Sequence, residues 1–284
     1  MWASQLGLVG AGDARAAAAR MEQAGYQTLW VGEADGREAL THAGLLLEAT
    51  EQLVVATGIA NIWARDAQAM INAARTLAEA HDGRFVLGLG ASHTPLVARR
   101  GHTYDKPYSA MVEYVEAMGR ATYTSPPPEQ EPPLVLAALG PRMLRLAAEQ
   151  ADGVHTFLVP VSHTRWARRV LGDGPVLAPE QAAVIAGDRK DARRLAGAHV
   201  AKYLALPNYR RNLERLGWEA TDLDGGGSDR VFDALVAWGD VDEVAARVAA
   251  HLEAGADHVA VHLLTESPTR LPLPELEALR AVLG

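Results

Sequence analysis

The sequence predicts an α/β chain folded as a TIM, or (β/α)8, barrel, and three observations carry that prediction. First, a helix-period segment repeatedly ends in Glu, Ala and Gly, and a short apolar run follows within a few residues. This occurs at Glu22-Gln23-Ala24-Gly25, Glu79-Ala80-His81-Asp82-Gly83, Glu149-Gln150-Ala151-Asp152-Gly153 and Glu253-Ala254-Gly255, where each Gly suits a left-handed helix C-cap. Second, the apolar runs are continuous rather than alternating, as expected of strands covered on both faces in a parallel sheet. Third, eight such runs fit within 284 residues, and no composition shift or long linker marks a boundary. A single barrel domain over residues 1–284 is therefore preferred to a doubly wound sheet with a second domain.

The strands are expected at residues 5–9, 28–31, 53–57, 85–89, 134–137, 154–157, 182–186 and 258–263. Helices are expected to begin near Asp13, Glu38, Asp66, Tyr108, Pro141, Ser162, Asp188 and Asp240, with a last one near Pro274. Two spacings exceed what a barrel needs, and both extend the face where barrel enzymes keep their sites. The first, residues 91–107 after strand four, carries His93, Arg99, Arg100, His102, Tyr104 and Lys106. The second, residues 203–238 after strand seven, holds an amphipathic stretch at 209–216 and the flexible run Gly225-Gly226-Gly227; either insertion could serve as a lid. The Pro-rich residues 125–133 read as a stiff connector.

Composition narrows the function. Twenty-seven Lys and Arg against thirty-five Asp and Glu give a net charge of -8, so no global basic field exists to hold nucleic acid or an anionic membrane. The absence of cysteine excludes disulfides, thiolate catalysis and Cys-built zinc sites. No basic segment followed by an apolar run opens the chain, and no apolar stretch is long enough for a transmembrane helix, so a cytoplasmic protein is expected. There is no Walker A loop, no H-E-x-x-H, no G-x-S-x-G and no full dinucleotide fingerprint, since His93 stands at the third Gly position after Gly88-Leu89-Gly90. No metal site is expected.

Four places remain that could carry chemistry. Gly88 and Gly90 end the fourth strand, where small residues admit a planar or phosphorylated ligand to the backbone or simply allow tight packing. Ala137-Ala138-Leu139-Gly140-Pro141-Arg142 leads into a helix whose free N–H groups and positive dipole suit an anion; an ordinary loop with a solvated Arg reads equally well. Residues 57–66 mix Gly, Asn61, Trp63 and Arg after the third strand, although a Trp there can equally pack. Of the ten His residues, His42, His93, His102 and His155 fall near strand ends or in insertions, while His81, His163, His199 and His251 read as helix-surface positions.

At Ala56-Thr57-Gly58-Ile59-Ala60-Asn61, Gly83-Arg84-Phe85-Val86-Leu87-Gly88-Leu89-Gly90 and Ala137-Ala138-Leu139-Gly140-Pro141-Arg142-Met143-Leu144 the sequence resembles the luciferase-like monooxygenase superfamily. It is most similar to the branch of oxidoreductases dependent on the deazaflavin coenzyme F-420. The resemblance covers essentially the whole chain. It implies a cis peptide at Gly58-Ile59 that, with Thr57, supports the face of the cofactor ring. It further implies that Gly88, Gly90, Ala91 and Ser92 line the ring and its side chain, and that Ala138, Gly140, Pro141, Arg142 and Met143 form the phosphate-binding turn. Asn61, Trp63 and His155 would border a small-molecule substrate.

Two departures from the pattern bear on catalysis. Similar sugar-phosphate dehydrogenases have an acidic residue and then a His after strand two, whereas here Glu33 is followed by Ala34. The same relatives place a Glu beyond strand four where this chain has His93. His93, with Glu33 as second candidate, is accordingly expected to move the proton that accompanies hydride transfer. An FMN-dependent monooxygenase is the alternative, a non-catalytic cofactor-binding protein a third, and a homodimer is compatible with all three.

Overall fold

The computed structural model describes residues 1–283. Nine parallel strands form the sheet: β1 Thr28–Val31, β2 Val54–Thr57, β3 Ala60–Asn61, β4 Phe85–Gly90, β5 Leu134–Ala137, β6 Gly153–Thr156, β7 Val176–Ile185, β8 Val236–Gly239 and β9 Ala260–Leu263. They run in the order β1, β2, β4, β5, β6, β7, and β7 pairs in turn with β9. Residues 1–3 close the ring. Trp2 bridges Trp30, the Ala3 N–H donates to the Trp30 carbonyl at 3.0 Å, and the Trp2 N–H donates to the Val261 carbonyl at 2.8 Å. Eight staves with helices outside make the expected barrel.

Two expectations shift. Residues 5–9 are not the first strand; Ser4–Gly7 is a single 3-10 turn, and the stave is the three residues before it. The apolar signal there came from Leu6, which is fully buried beneath the turn. The seventh strand starts six residues earlier than expected, because Pro179, Glu180 and Gln181 interrupt the apolar run while the backbone continues extended from Val176 to Ile185. Its first half pairs with β6 and its second half with both β8 and β9. β8 itself lies at the end of the second insertion.

Helix boundaries follow local chemistry. Asp66, Asp188 and Asp240 each accept first-turn N–H groups of the helices Ala67–Ala80, Arg189–Leu204 and Val241–Glu253, and Asp240 completes a capping box with Glu243. Gly25, Gly83 and Gly255 take the positive φ angles expected of C-caps, at 91°, 76° and 98°. Gly153 does not. It begins β6, where a Cβ would stand 2.8 Å from the Val176 carbonyl oxygen, so strand contact rather than helix capping requires it. At the end of the glycine run after Leu223, Gly227 is likewise packed: a Cβ on it would lie 2.8 Å from both Leu204 and Val231.

Candidate active site at the C-terminal ends of the strands

One wall is built by a bulge. Val55 pairs with Phe85 and Ala60 with Leu89, so five steps on one strand oppose four on the other, and the extra residue falls at the cis peptide Gly58–Ile59. The bulge holds Ile59 half-buried above β4. A Cβ on Gly88 would stand 1.8 Å from the Thr57 carbonyl oxygen, and one on Gly90 would stand 2.4 Å from the Ile59 side chain. The missing side chains at Gly88 and Gly90 therefore make room for this bulge. Ala91 and Ser92 continue past β4 half-buried, Ser92 with φ 60°.

Glu33 follows β1 with its carboxylate fully engaged. Its Oε2 accepts the Asn61 N–H at 2.7 Å, while Oε1 accepts the Ala39 N–H at 3.4 Å and the Arg65 guanidinium. Arg65 also reaches Glu38 at 2.6 Å. With both oxygens hydrogen-bonded, Glu33 anchors the turn after β3, and the geometry gives no support to a proton-transfer role. Asn61 is buried and its Oδ1 accepts the Trp63 N–H at 3.0 Å, whereas Trp63 is half-buried and its indole donates to the Ala91 carbonyl at 2.9 Å. Trp63 thus ties the turn after β3 to the end of β4. His155 is drawn away from the site: it is 2% exposed and stacks on Trp30 at 4.4 Å inside the barrel, so it is not positioned to border a substrate.

A second wall is the turn into the helix Pro141–Gln150. Gly140 precedes it without a side-chain cap, no acidic residue lies in its first turn, and Ala138 is buried behind it. Met143 is half-buried, and the exposed Arg142 guanidinium lies 4.0 Å above the Tyr108 ring. The Arg215 guanidinium comes within 3.6 Å of the position a Cβ on Gly140 would take. Free first-turn N–H groups beside two guanidinium ions form the donor set that a phosphate-bearing cofactor needs.

The two insertions meet over the barrel. His93 precedes the helix Thr94–Arg99, with its ring 5.7 Å from Tyr209 and 6.2 Å from Tyr203. Tyr203 also contacts Phe157, just beyond β6, at 5.1 Å. Burial and the nearby Lys202 lower His93 to about 4, so its imidazole is neutral at pH 7. An open cleft lined by Asp233, Trp238, Glu243 and Arg247 lies elsewhere, against β8, and brings none of these groups together.

Residue type alone missed several groups at this end of the barrel. His199, Glu180 and His262 place one donor atom each within 4.8 Å of one another. His163 and His251, expected on helix surfaces, are fully buried and bonded to the Leu139 carbonyl and to Thr164 and Gln181 respectively. The available signal was the recurrence of His and Glu inside otherwise apolar runs.

The model of the family described as luciferase-like monooxygenase matches residues 3–258. The chain belongs to that family. It is 26% identical, over 311 aligned positions covering 86% of this chain and 88% of the other, to a Mycobacterium tuberculosis protein named as a coenzyme F-420-dependent oxidoreductase. It is 28% identical over 161 residues to a 5,10-methylenetetrahydromethanopterin reductase of Archaeoglobus fulgidus, a match that spans 51% of this chain and only 48% of that relative. In fold it superposes with TM-score 0.80 on the coenzyme F-420-dependent tetrahydromethanopterin reductase of Methanopyrus kandleri, at 18% identity, covering 99% of this chain and 96% of that one. No helix among the described residues is long and apolar enough to cross a membrane.

Proposed function

We propose that this chain is a single-domain, deazaflavin-dependent oxidoreductase that exchanges a hydride between coenzyme F-420 and a small organic substrate. The observation that carries this reading is the donor set at Gly140, Arg142 and Arg215, joined through the same strand ends to the Thr57-Gly58-Ile59 bulge. It suits a cofactor with a flat ring at one end and an anionic tail at the other. Bound there, the deazaflavin would supply a two-electron hydride donor or acceptor.

The chain's own part is to hold, orient and exclude water. Ile59, Ala91 and Ser92 would flank the ring, and the amides of Arg142 and Met143 with the two guanidinium groups would hold the tail. Trp63 and His93 would stand beside the ring, with Tyr203 and Tyr209 against His93. His93 is the group placed to exchange a proton with the substrate as hydride is transferred.

The experiment is a photometric screen under exclusion of oxygen, presenting the protein and oxidised deazaflavin with small alcohols and amines, and reduced deazaflavin with carbonyls and imines. Turnover with at least one class supports the proposal. Oxygen consumption with reduced FMN, and no deazaflavin turnover in either direction, would replace it with the monooxygenase alternative.

A further inference from the structure

Apart from the groups assigned above, three side chains form an unbroken hydrogen-bonded line from solvent into the barrel. Ser4 follows the closing stave and is exposed, and its Oγ lies 3.0 Å from Nε2 of His262. His262 stands on β9, is 1% exposed, and places Nδ1 3.0 Å from Oε1 of Glu180. Glu180 stands on β7 fully buried, its other oxygen accepting the Leu158 N–H at 2.9 Å. Register fixes the inner pair, because β7 and β9 align Glu180 with Ala260 and Ala182 with His262. The Trp2 ring, 4.4 Å from the His262 ring, holds the imidazole in place.

We propose that Ser4, His262 and Glu180 form a nucleophilic triad that makes the Ser4 hydroxyl reactive toward small carboxylic esters, an activity independent of the cofactor. The geometry supplies the two side-chain contacts of such a constellation: a hydroxyl within reach of a base, and a base oriented by a buried carboxylate. In the step itself the Ser4 oxygen bonds to the acyl carbon and the bond to the leaving alkoxide breaks. His262 takes the hydroxyl proton and passes it to the leaving group. Water then attacks the acylated Ser4 with the same imidazole as base, releasing the carboxylic acid and restoring the hydroxyl.

The charge state of Glu180 decides which way the line is polarised. Burial keeps His262 neutral, so it carries one ring proton. With Glu180 ionised, that proton sits on Nδ1 and the Nε2 lone pair faces Ser4. With Glu180 protonated, the carboxyl donates to Nδ1, Nε2 carries the proton, and the hydroxyl is not activated. Burial raises Glu180 to about 7. The titratable groups facing it are His262 from β9, His199 from the helix Arg189–Leu204, and Tyr203 and Tyr209, with Lys202 beyond His199. Reactivity therefore rises with pH across the neutral range.

The test is labelling of the full chain, without cofactor, by an alkyl fluorophosphonate, read by intact mass and peptide mapping. The expected result is one adduct, on Ser4, formed faster as pH rises through about 7 and absent in Ser4→Ala. Glu180→Gln keeps the shape but fixes the wrong tautomer, and should slow labelling at least tenfold with an unchanged circular dichroism spectrum. No adduct on Ser4, a rate that does not change with pH, or equally fast labelling of a folded Glu180→Gln variant would overturn the proposal. None of these outcomes depends on deazaflavin binding.

Discussion

Thr57 and Gly88 are bonded to each other in both directions. The Thr57 hydroxyl donates to the Gly88 carbonyl and accepts the Gly88 N–H, each at 2.8 Å, and no atom can be added between them. This pair sets the distance between β2 and β4 beside the bulge, and hence the wall on which the proposed cofactor ring would rest. Gly88→Ala should destabilise the fold by at least about 3 kcal/mol, since its Cβ meets backbone that cannot move aside. Thr57→Val, which keeps the shape, should cost about 1–3 kcal/mol by leaving two buried backbone groups unpaired. Denaturant unfolding measures both.

Glu33 and Arg65 make a second such test. Their side chains are 2% and 12% exposed, so removing either strands a charge out of water. Arg65→Ala should lower stability by about 3–5 kcal/mol. Glu33→Gln should also melt early, and in a chain that still folds it should leave the pH dependence of turnover unaltered. A shifted pH profile would return Glu33 to the chemistry.

Stability should fall on mild acidification. His42, His155 and His163 are lowered by burial to about 4, and His251 and His262 to about 3, against an ordinary value of 6.5. Between those values the unfolded chain binds more protons than the folded one, so unfolding is favoured as pH drops below 6.5. Each buried His contributes about 1.4 kcal/mol per pH unit. Glu180, raised to about 7, acts in the opposite direction between 4.5 and 7 but is outnumbered. Melting temperature followed from neutral pH downward checks the sign.

His93→Ala should reduce turnover about 10²–10⁴-fold if the imidazole moves a proton, while cofactor affinity stays unchanged. Arg142→Ala with Arg215→Ala should do the reverse, weakening deazaflavin binding about tenfold or more and making it less salt-sensitive. Steady-state kinetics and a binding titration separate the two effects.

The barrel was legible in the sequence because its strands are continuous apolar runs and its helices end in Gly or begin after Asp. What was not legible depends on pairing across long separations. Trp2 forms a stave only because Trp30 and Val261 flank it. Sequence does not show what fills the space beside a glycine, and next to Gly88 and Gly90 it is Thr57 and Ile59. His155 lies at a strand end yet faces Trp30 inside the barrel. Glu180 and His262 were hidden by apolar neighbours, and only the β7 and β9 register brings them together. The turn at Gly140 was readable from Pro and Gly placement, but its partner Arg215 sits in a distant helix.

The direct test of deazaflavin binding is titration of the purified protein with coenzyme F-420 and, separately, with FMN, following cofactor absorbance and fluorescence. Saturable binding of the deazaflavin at concentrations where FMN does not bind is the predicted result. Selective binding of FMN, or of neither cofactor, would contradict it.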